Sequence, residues 1–144
     1  MKMLKFLLFS GLPCVTFCKG HSMLPTLRDG DVILYNPFCR RYSRGDIVIA
    51  EVGGEKLVKR VIAEGGDRIT ITQRGGVAVN GEWLDETYTS GQRTIGRSVN
   101  AEIPKGRVWI MGDNRDESSD SRDFGSVPLT DIMGKVIRLR KKVG

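Results

Sequence analysis

Ser22 lies in a short run, GHSMLPT, whose residue types could support nucleophilic chemistry. A serine hydroxyl becomes an effective nucleophile only when a base takes its proton. Histidine is the usual base, and the single histidine of this chain, His21, is the direct neighbour of Ser22. Because adjacent side chains of an extended segment point to opposite faces, His21 is badly placed to reach the Ser22 hydroxyl. A neutral lysine is the known alternative base, so the pattern predicts a serine–lysine pair.

Lys59 is the candidate base because of the apolar strand in which it stands. Strand alternation predicts that it shares one face with three apolar residues: Leu57, Val61 and Ala63. Burial among such residues disfavours the ammonium form and can lower a lysine pKa by several units from about 10.4. The neutral amine can then act as a base near neutral pH. Alternatively, Lys59 could stand at a strand edge and extend its ammonium group into water.

A second polar cluster, GDNRDESSDSRDFG at residues 112–125, follows a predicted strand. Its composition is typical of a polar loop. Its spacing is not that of an EF-hand, and Arg115 and Arg122 offset the acidic charge. Its hydroxyls could orient an amine, while its carboxylates could pair with the arginines and fix the loop.

Short β-strands must position these groups, because runs rich in Val and Ile recur between Gly, Asp and Pro residues. The Asn80-Gly81 pair predicts a hairpin turn. The polar stretch 87–101 lacks a clear period and is predicted to be a loop or irregular ribbon. The fold class is therefore mainly β, one domain of antiparallel sheets. The predicted strands are Cys14–Cys18, which leads to Ser22, and Asp31–Tyr35, Asp46–Val52, Leu57–Ala63, Arg68–Thr72, Val77–Val79, Glu82–Leu84, Arg107–Met111 and Lys135–Leu139.

Residues 1–13 form a short basic and apolar segment ahead of the domain predicted at residues 14–144. Two lysines precede its apolar run, as on the cytoplasmic flank of a membrane segment. A spanning helix needs about 20 apolar residues, whereas this run is shorter and is broken by Gly11 and Pro13. It could be a minimal or truncated anchor, an interfacial segment, a cleaved export signal, or an element packed on the domain.

Net charge and cysteine spacing indicate which kinds of binding partner and metal site to expect. The formal charge of +6 suits nucleic acid or an anionic membrane surface. The aromatic residues do not interleave with the basic ones as in a stacking platform, so we expect no nucleic-acid partner and favour a surface that faces anionic lipid. The three cysteines lack CxxC spacing, which argues against a zinc site or a disulfide framework.

Taken together, these segments resemble the type I signal peptidases, the membrane-bound serine–lysine endopeptidases that remove signal peptides. The matching motifs are GHSMLPTL, RGDIVIAE, KLVKRVIAEGGD and GDNRDESSDSRDFGSV, and they occur in the family's order from about residue 19 to residue 139. The resemblance implies a domain of coiled antiparallel β-sheets, preceded by a short apolar N-terminal segment. It also implies a place at the cell membrane, with the catalytic domain on the extracytoplasmic side.

Residue by residue, the resemblance implies Ser22 as nucleophile, Lys59 as general base and Ser118 as the hydroxyl that orients the Lys59 amine. Where some members carry a serine that binds the oxyanion, this chain has Gly20, so the backbone N–H of Ser22, with that of Gly20 as a second candidate, would serve instead. The other implied site residues are Arg60 and Asp113 as a salt-bridged pair, Asp120 and Arg122 as braces of the loop, and Met23 as a wall of the substrate pocket.

The resemblance implies a serine endopeptidase that cleaves N-terminal signal peptides from preproteins bound as extended strands. It implies no metal, no organic cofactor and no obligate protein partner, with membrane lipid as a further contact. A self-cleaving repressor-type protease would need a DNA-binding domain before the dyad, where only 21 residues precede Ser22. A catalytically silent domain that binds peptides or lipid would be favoured by loss of Ser22, Lys59 or Ser118, and all three are present.

Overall fold

The computed structural model describes residues 12–89 and 96–140. Most of the predicted N-terminal segment, residues 1–11, lies outside the described residues. Within the described part of the chain, no helix is long and apolar enough to cross a membrane. The strands are β1 Cys14–Phe17, β2 Val32–Asn36, β3 Ile47–Val52, β4 Glu55–Glu64, β5 Arg68–Ile71, β6 Val77–Val79, β7 Glu82–Trp83, β8 Val99–Glu102, β9 Arg107–Met111, β10 Val127–Pro128 and β11 Ile132–Arg140; one short helix, α1, spans Ser121–Phe124.

The strands form two antiparallel sheets. The larger sheet has the order β1-β2-β11-β3-β4-β9-β10, and the smaller has the order β7-β6-β5-β8. Strand β4 lies near the middle of the larger sheet, where it pairs with β3 from Glu55 to Arg60 and with β9 from Arg60 onward. Residues 55–59 of β4 are therefore paired on the β3 side alone, among the residues that the structure describes.

Three apolar clusters hold the sheets in place. The first joins the smaller sheet to the larger through residues such as Ile69, Trp109 and Met111. The second lies within the larger sheet around Val48 and Ile110, and the third lies beneath the segment that carries Ser22. Because β4 passes between these clusters, its residues from Leu57 onward are buried or half-buried.

A bulge in β4 changes the predicted alternation. The pairing of β4 with β9 shifts between Val61 and Ala63. As a result, Ile62 and Ala63 pack in one cluster, although strict alternation had placed them on opposite faces. The prediction that Ala63 shares a face with Lys59 is therefore wrong beyond the bulge, because a bulge inserts one residue into the alternation.

The predicted strands are confirmed, and so is the hairpin, where Asn80 and Gly81 both adopt positive φ. Sequence patterns missed five short elements: β8, β10, α1 and two 3₁₀ turns at Arg115–Glu117 and Leu129–Asp131. Strand β8 falls partly inside the predicted loop, because Val99 and Ala101 alternate with polar residues over only four positions. The helix α1 interrupts the polar cluster, and a capping box formed by Asp120 and Asp123 begins it.

Candidate active site

Ser22 lies on a compact turn that follows β1. The turn is closed by two backbone hydrogen bonds, from Leu24 N–H to His21 O at 3.2 Å and from Leu27 N–H to Met23 O at 2.9 Å. Met23 and Leu27 are buried in the third cluster and anchor the turn to the sheet. Ser22 therefore lies on a turn rather than on the extended segment from which its geometry was inferred, and His21 is exposed.

Lys59 and Ser22 are in direct contact. The Lys59 Nζ donates a hydrogen bond to Ser22 Oγ at 2.7 Å, although 36 residues separate the two in sequence. Lys59 is only 3% exposed, and burial lowers the pKa of its amine below the ordinary value of 10.5. The nearby Asp120 carboxylate acts in the opposite direction and raises that pKa, but burial dominates. Relative to a lysine in water, the site therefore shifts Lys59 toward the neutral amine that a lysine base requires.

Asn114 holds the Ser22 turn against the end of β9. Its backbone N–H donates to Ser22 O at 2.9 Å, and its side-chain Nδ2 donates to His21 O at 3.0 Å. Asn114 is 5% exposed, so water competes little for these bonds. Sequence reasoning did not single out this residue, although it stands within the polar cluster beside Asp113.

Gly112 permits the closest approach of the polar cluster to the nucleophile. A Cβ atom at this position would lie 2.2 Å from Ser118 Oγ and 2.5 Å from Ser22 O. Such distances exclude any side chain without movement of its neighbours. Glycine at this position therefore allows Ser118 and the Ser22 backbone to pack against the same backbone position.

Asp120 organises the loop beside the dyad. Its carboxylate accepts hydrogen bonds from Gly112 N–H at 2.9 Å, from Ser118 Oγ at 2.7 Å, and from Arg122 Nε and Nη2 at 2.9 and 3.0 Å. Burial alone would raise the pKa of this carboxyl group, but the bonds and charge of Arg122, with the other donors, hold the pKa below its ordinary value. The carboxylate is therefore charged and fixed in place near Lys59.

Arg60 and Asp113 form a second fixed pair behind Lys59. Arg60 Nε and Nη2 donate to the two carboxylate oxygens of Asp113 at 2.8 and 2.7 Å, which is a bidentate arrangement. The Thr26 hydroxyl also donates to Asp113, so this carboxylate connects β4 with the turn that carries Ser22. Tyr88 covers the Arg60 guanidinium, with its ring centroid 4.1 Å from Cζ.

Glu86 connects this pair to the polar cluster from a segment outside the motifs. It accepts a hydrogen bond from Tyr88 Oη at 2.8 Å and forms a bidentate ion pair with Arg115. Arg115 Nε in turn donates to Gly112 O at 2.8 Å. The pattern of residues 84–89 gave no signal for this role, since the contacts form only when the two sheets come together.

A groove of about 430 Å³ opens beside Ser22. One wall is formed by the end of β1 and the residues after it, and the other by the part of β4 that is paired on one side alone. Apolar side chains such as Phe17, Leu57 and Val58 line much of it. An extended peptide could enter this groove and reach the Ser22 hydroxyl.

A family model described as signal peptidase, peptidase S26, matches residues 3–139. The chain belongs to this family. It is 34% identical over 128 residues to the mitochondrial inner membrane protease subunit 1 of Xenopus tropicalis, an alignment that covers 85% of this chain and 65% of that protein. It is also 34% identical over 135 residues to signal peptidase I of Bacillus caldolyticus, with 82% of this chain and 74% of that protein covered.

Solved structures support the same fold. A signal peptidase I from Enterococcus faecalis V583 superimposes with a TM-score of 0.58 at 24% identity, over 67% of this chain and 97% of the other. The alignments span 65% of the Xenopus tropicalis protein and 66% of its Mus musculus counterpart, so this S26 chain corresponds to just under two thirds of those relatives.

The structure brings most of the predicted S26 site residues together. Beyond the Ser22–Lys59 contact, the predicted Arg60–Asp113 pair forms, and so does the Asp120–Arg122 brace. Ser118 lies beside the dyad, but the hydrogen bond that its hydroxyl donates goes to Asp120. A hydroxyl oxygen can still accept from an amine while it donates, so the role of Ser118 in orienting Lys59 stays a prediction.

Met23 is 1% exposed and packs in the third cluster, because the turn directs it inward beneath Ser22. Its role as a wall of the substrate pocket stays a prediction. The Gly20 N–H donates to Asp29 Oδ1 at 2.8 Å, which removes it as an oxyanion donor in this conformation. The Ser22 N–H bonds to no other described residue and remains available.

Proposed function

We propose that this chain is a serine endopeptidase that cleaves N-terminal signal peptides from exported preproteins, with Ser22 as nucleophile and Lys59 as general base. The observation that carries the proposal is the 2.7 Å contact between the Lys59 amine and the Ser22 hydroxyl in a buried setting that lowers the lysine pKa. The family membership and the groove that leads to Ser22 add support.

Acylation begins when the neutral Lys59 amine takes the Ser22 proton and the hydroxyl oxygen attacks the scissile carbonyl carbon. The oxyanion is stabilised by the Ser22 N–H, and one such donor contributes about 3–4 kcal/mol to the transition state. The Lys59 ammonium then returns the proton to the leaving amine, which departs as the new N-terminus. Deacylation repeats the sequence with water, whose proton Lys59 takes.

Lys59 is held for this task by fixed neighbours. Ser118 donates its own proton to Asp120, so its oxygen can accept from the Lys59 amine and orient that amine toward Ser22 in the proposed mechanism. Asp113 and Arg60 keep the Ser22 turn in register with β4 through the Thr26 hydroxyl. Each of these groups acts by orientation, because the dyad performs the proton transfers.

The substrate binds in the groove as an added strand. Among the described strands, residues 55–59 of β4 pair only with β3, so their backbone groups on the groove side can pair with an extended peptide. The apolar walls formed by Phe17, Leu57 and Val58 suit small apolar side chains before the scissile bond. This arrangement ties specificity to backbone pairing and shape rather than to charge.

The proposal places the enzyme at a cell membrane, with residues 14–144 as the extracytoplasmic peptidase domain and residues 1–13 as its attachment. Val15 and Phe17, on the strand next to that segment, are 57% and 60% exposed. The net charge of +6 adds attraction to anionic lipid that salt should weaken. The relatives named as mitochondrial inner membrane proteases support an association with a membrane.

Cleavage of a test preprotein by the full chain in detergent is the direct experiment. Ser22→Ala and Lys59→Ala should each abolish cleavage, because each removes one half of the dyad. His21→Ala is the matched control, since His21 is adjacent to Ser22 but exposed, and it should keep most of the activity. A folded His21→Ala variant as inactive as Ser22→Ala would contradict the lysine-base mechanism, and activity in Ser22→Ala would refute the whole proposal.

A further inference from the structure

A second cavity, of about 320 Å³, lies at the far end of β4 from the dyad. Glu64 at its edge stands five residues beyond Lys59, which is roughly 16 Å along an extended strand. We call this cavity the basic hollow. It is lined by two loops and the strand ends beside them: Arg40, Arg41, Tyr42, Ser43, Glu64, Gly65, Lys105, Gly106, Arg107, Val108 and Leu129.

Positive charge dominates the basic hollow. Four cationic side chains, those of Arg40, Arg41, Lys105 and Arg107, face a single acidic lining residue, Glu64. Within residues 12–89 and 96–140, none of the four forms an ion pair with a carboxylate. Like charges gathered in a concave surface repel one another and concentrate a positive potential, which a bound anion would relieve.

Hydrogen bonds to uncharged partners also hold the basic hollow in shape, so its cations are not neutralised. Arg107 donates from Nε to Ser126 Oγ at 2.9 Å and from Nη2 to Ser126 O at 2.7 Å, which fixes the guanidinium against neutral partners. On the other loop, Tyr42 is buried and its hydroxyl donates to Cys39 O at 2.7 Å. These contacts reduce the entropy lost when a ligand binds.

Gly65 brings the two sides of the basic hollow together. A Cβ atom at this position would lie 2.9 Å from Pro104 O and 3.0 Å from Lys105 Cα. The absence of a side chain therefore lets the turn after β4 pack directly on the turn that carries Lys105. This close packing sets the position of Lys105 at the cavity that Arg40 and Arg41 also line.

We propose that the basic hollow binds a phosphate group, either as free phosphate or on the headgroup of an anionic phospholipid. Arginine forks match phosphate oxygens in pairs, and a lysine adds a point charge. Cations from two separate loops suit a tetrahedral oxyanion, whereas a single carboxylate needs only one fork. Ser43 lines the same cavity, and its hydroxyl is a further potential donor. The site is separate from the dyad and does not depend on the peptidase function.

The test compares two variants of the full chain with the same loss of charge. Arg41→Gln with Lys105→Gln removes two cations of the basic hollow, and Arg28→Gln with Arg74→Gln removes two exposed arginines outside it. Thermal midpoints are measured in inorganic phosphate and in chloride of equal ionic strength, so that general screening cancels. Flotation with phosphatidylcholine vesicles, with and without phosphatidylglycerol, forms the second arm.

Phosphate should raise the thermal midpoint of the native chain and of the Arg28/Arg74 variant, and the rise should saturate as the phosphate concentration increases. In the Arg41/Lys105 variant, this rise should be at most half as large. A selective loss of phosphatidylglycerol-dependent flotation in that variant would assign the phosphate to lipid, and equal flotation of both variants would assign it to a soluble phosphate. No saturable effect in the native chain, or equal loss in both variants, would overturn the proposal. A cooperative thermal transition of each variant in chloride checks that it folds.

Discussion

The arginines near the dyad and those of the basic hollow are used in opposite ways. Arg60, Arg115 and Arg122 each form an ion pair with a carboxylate at a largely buried position. The cations of the basic hollow have no such partners among the described residues. Buried pairs fix loops because the loss of one partner leaves a charge without compensation. Unpaired surface cations contribute little to folding and remain available for a ligand.

Of the changes considered, Lys59→Arg should have the largest effect. It places a permanent cation that has no carboxylate partner of its own beside Ser22. A guanidinium cannot act as a base, so cleavage should fall by at least about 10³-fold. In the native chain, burial lowers the Lys59 pKa below 10.5, so activity should rise with pH as the amine deprotonates and reach its plateau below that value. The measurement is kcat/KM against pH for both forms. An active Lys59→Arg variant would rule Lys59 out as proton acceptor.

Asp113→Ala tests whether the paired arginines near the dyad contribute more to the free energy of unfolding than those of the basic hollow. The change leaves the Arg60 guanidinium without its bidentate partner at a site where the Asp113 side chain is fully buried, and should cost about 3–5 kcal/mol of unfolding free energy. Arg41→Gln is the matched change in the basic hollow and should alter that free energy by no more than about 0.5 kcal/mol. Urea denaturation followed by circular dichroism measures both. Similar losses in the two variants would erase the distinction.

Two glycines allow a test of function at each site. Gly112→Ala places a methyl group against Ser118 Oγ and Ser22 O, so cleavage should fall by about 10²-fold, the size expected when a reacting group is displaced by about 1 Å. Gly65→Ala pushes on Pro104 O and Lys105 Cα, so it should weaken the phosphate effect and spare cleavage. The readouts are kcat/KM and the phosphate-dependent midpoint. Parallel losses of both readouts in either variant would mean that the two regions are coupled.

Lys59→Met should have a smaller effect on stability than Asp113→Ala, and it should raise the free energy of unfolding rather than lower it. Since the folded-state pKa of Lys59 lies below 10.5, the unfolded chain binds the proton more tightly, and native stability falls as pH drops from above 10.5 toward the folded pKa. Methionine cannot be protonated, so the inactive variant should be more stable at pH 7 by about 0.5–2 kcal/mol. Thermal or urea unfolding at pH 7 and pH 10 checks this, and the difference should shrink at the higher pH.

The strands and the dyad could be predicted because their signals are local or belong to distinct motifs. Alternation of apolar residues located β3, β4 and β9, and the Asn80-Gly81 pair located the turn between β6 and β7. The contact of Ser22 with Lys59 followed from the shortage of histidine and from the motif order. In these cases, short stretches of sequence contain the physical cause.

Other features could not be predicted because they depend on segments that meet only in the folded chain. Asn114 bonds to residues about 90 positions earlier, and no local pattern marks it as the tether of the Ser22 turn. The turn also directs Met23 into the core, which no local pattern indicated. The basic hollow likewise forms from two loops more than 60 residues apart, whose charges are unremarkable when each is read alone.

The position of β1 has a mechanical consequence. This strand lies at the edge of the larger sheet and is joined to β2 by four residue pairs, from Cys14 with Tyr35 to Phe17 with Val32. Ser22 follows five residues later, whereas Lys59 lies on a central strand. A pulling force applied to the chain before β1 would therefore meet these four pairs, the backbone bonds of Cys18 with Asp31 and Gly30, the Gly20–Asp29 bond and the Asn114 tether before it moved the nucleophile away from its base. Traction from the N-terminal side could thus disengage the nucleophile while most of the sheet stays folded.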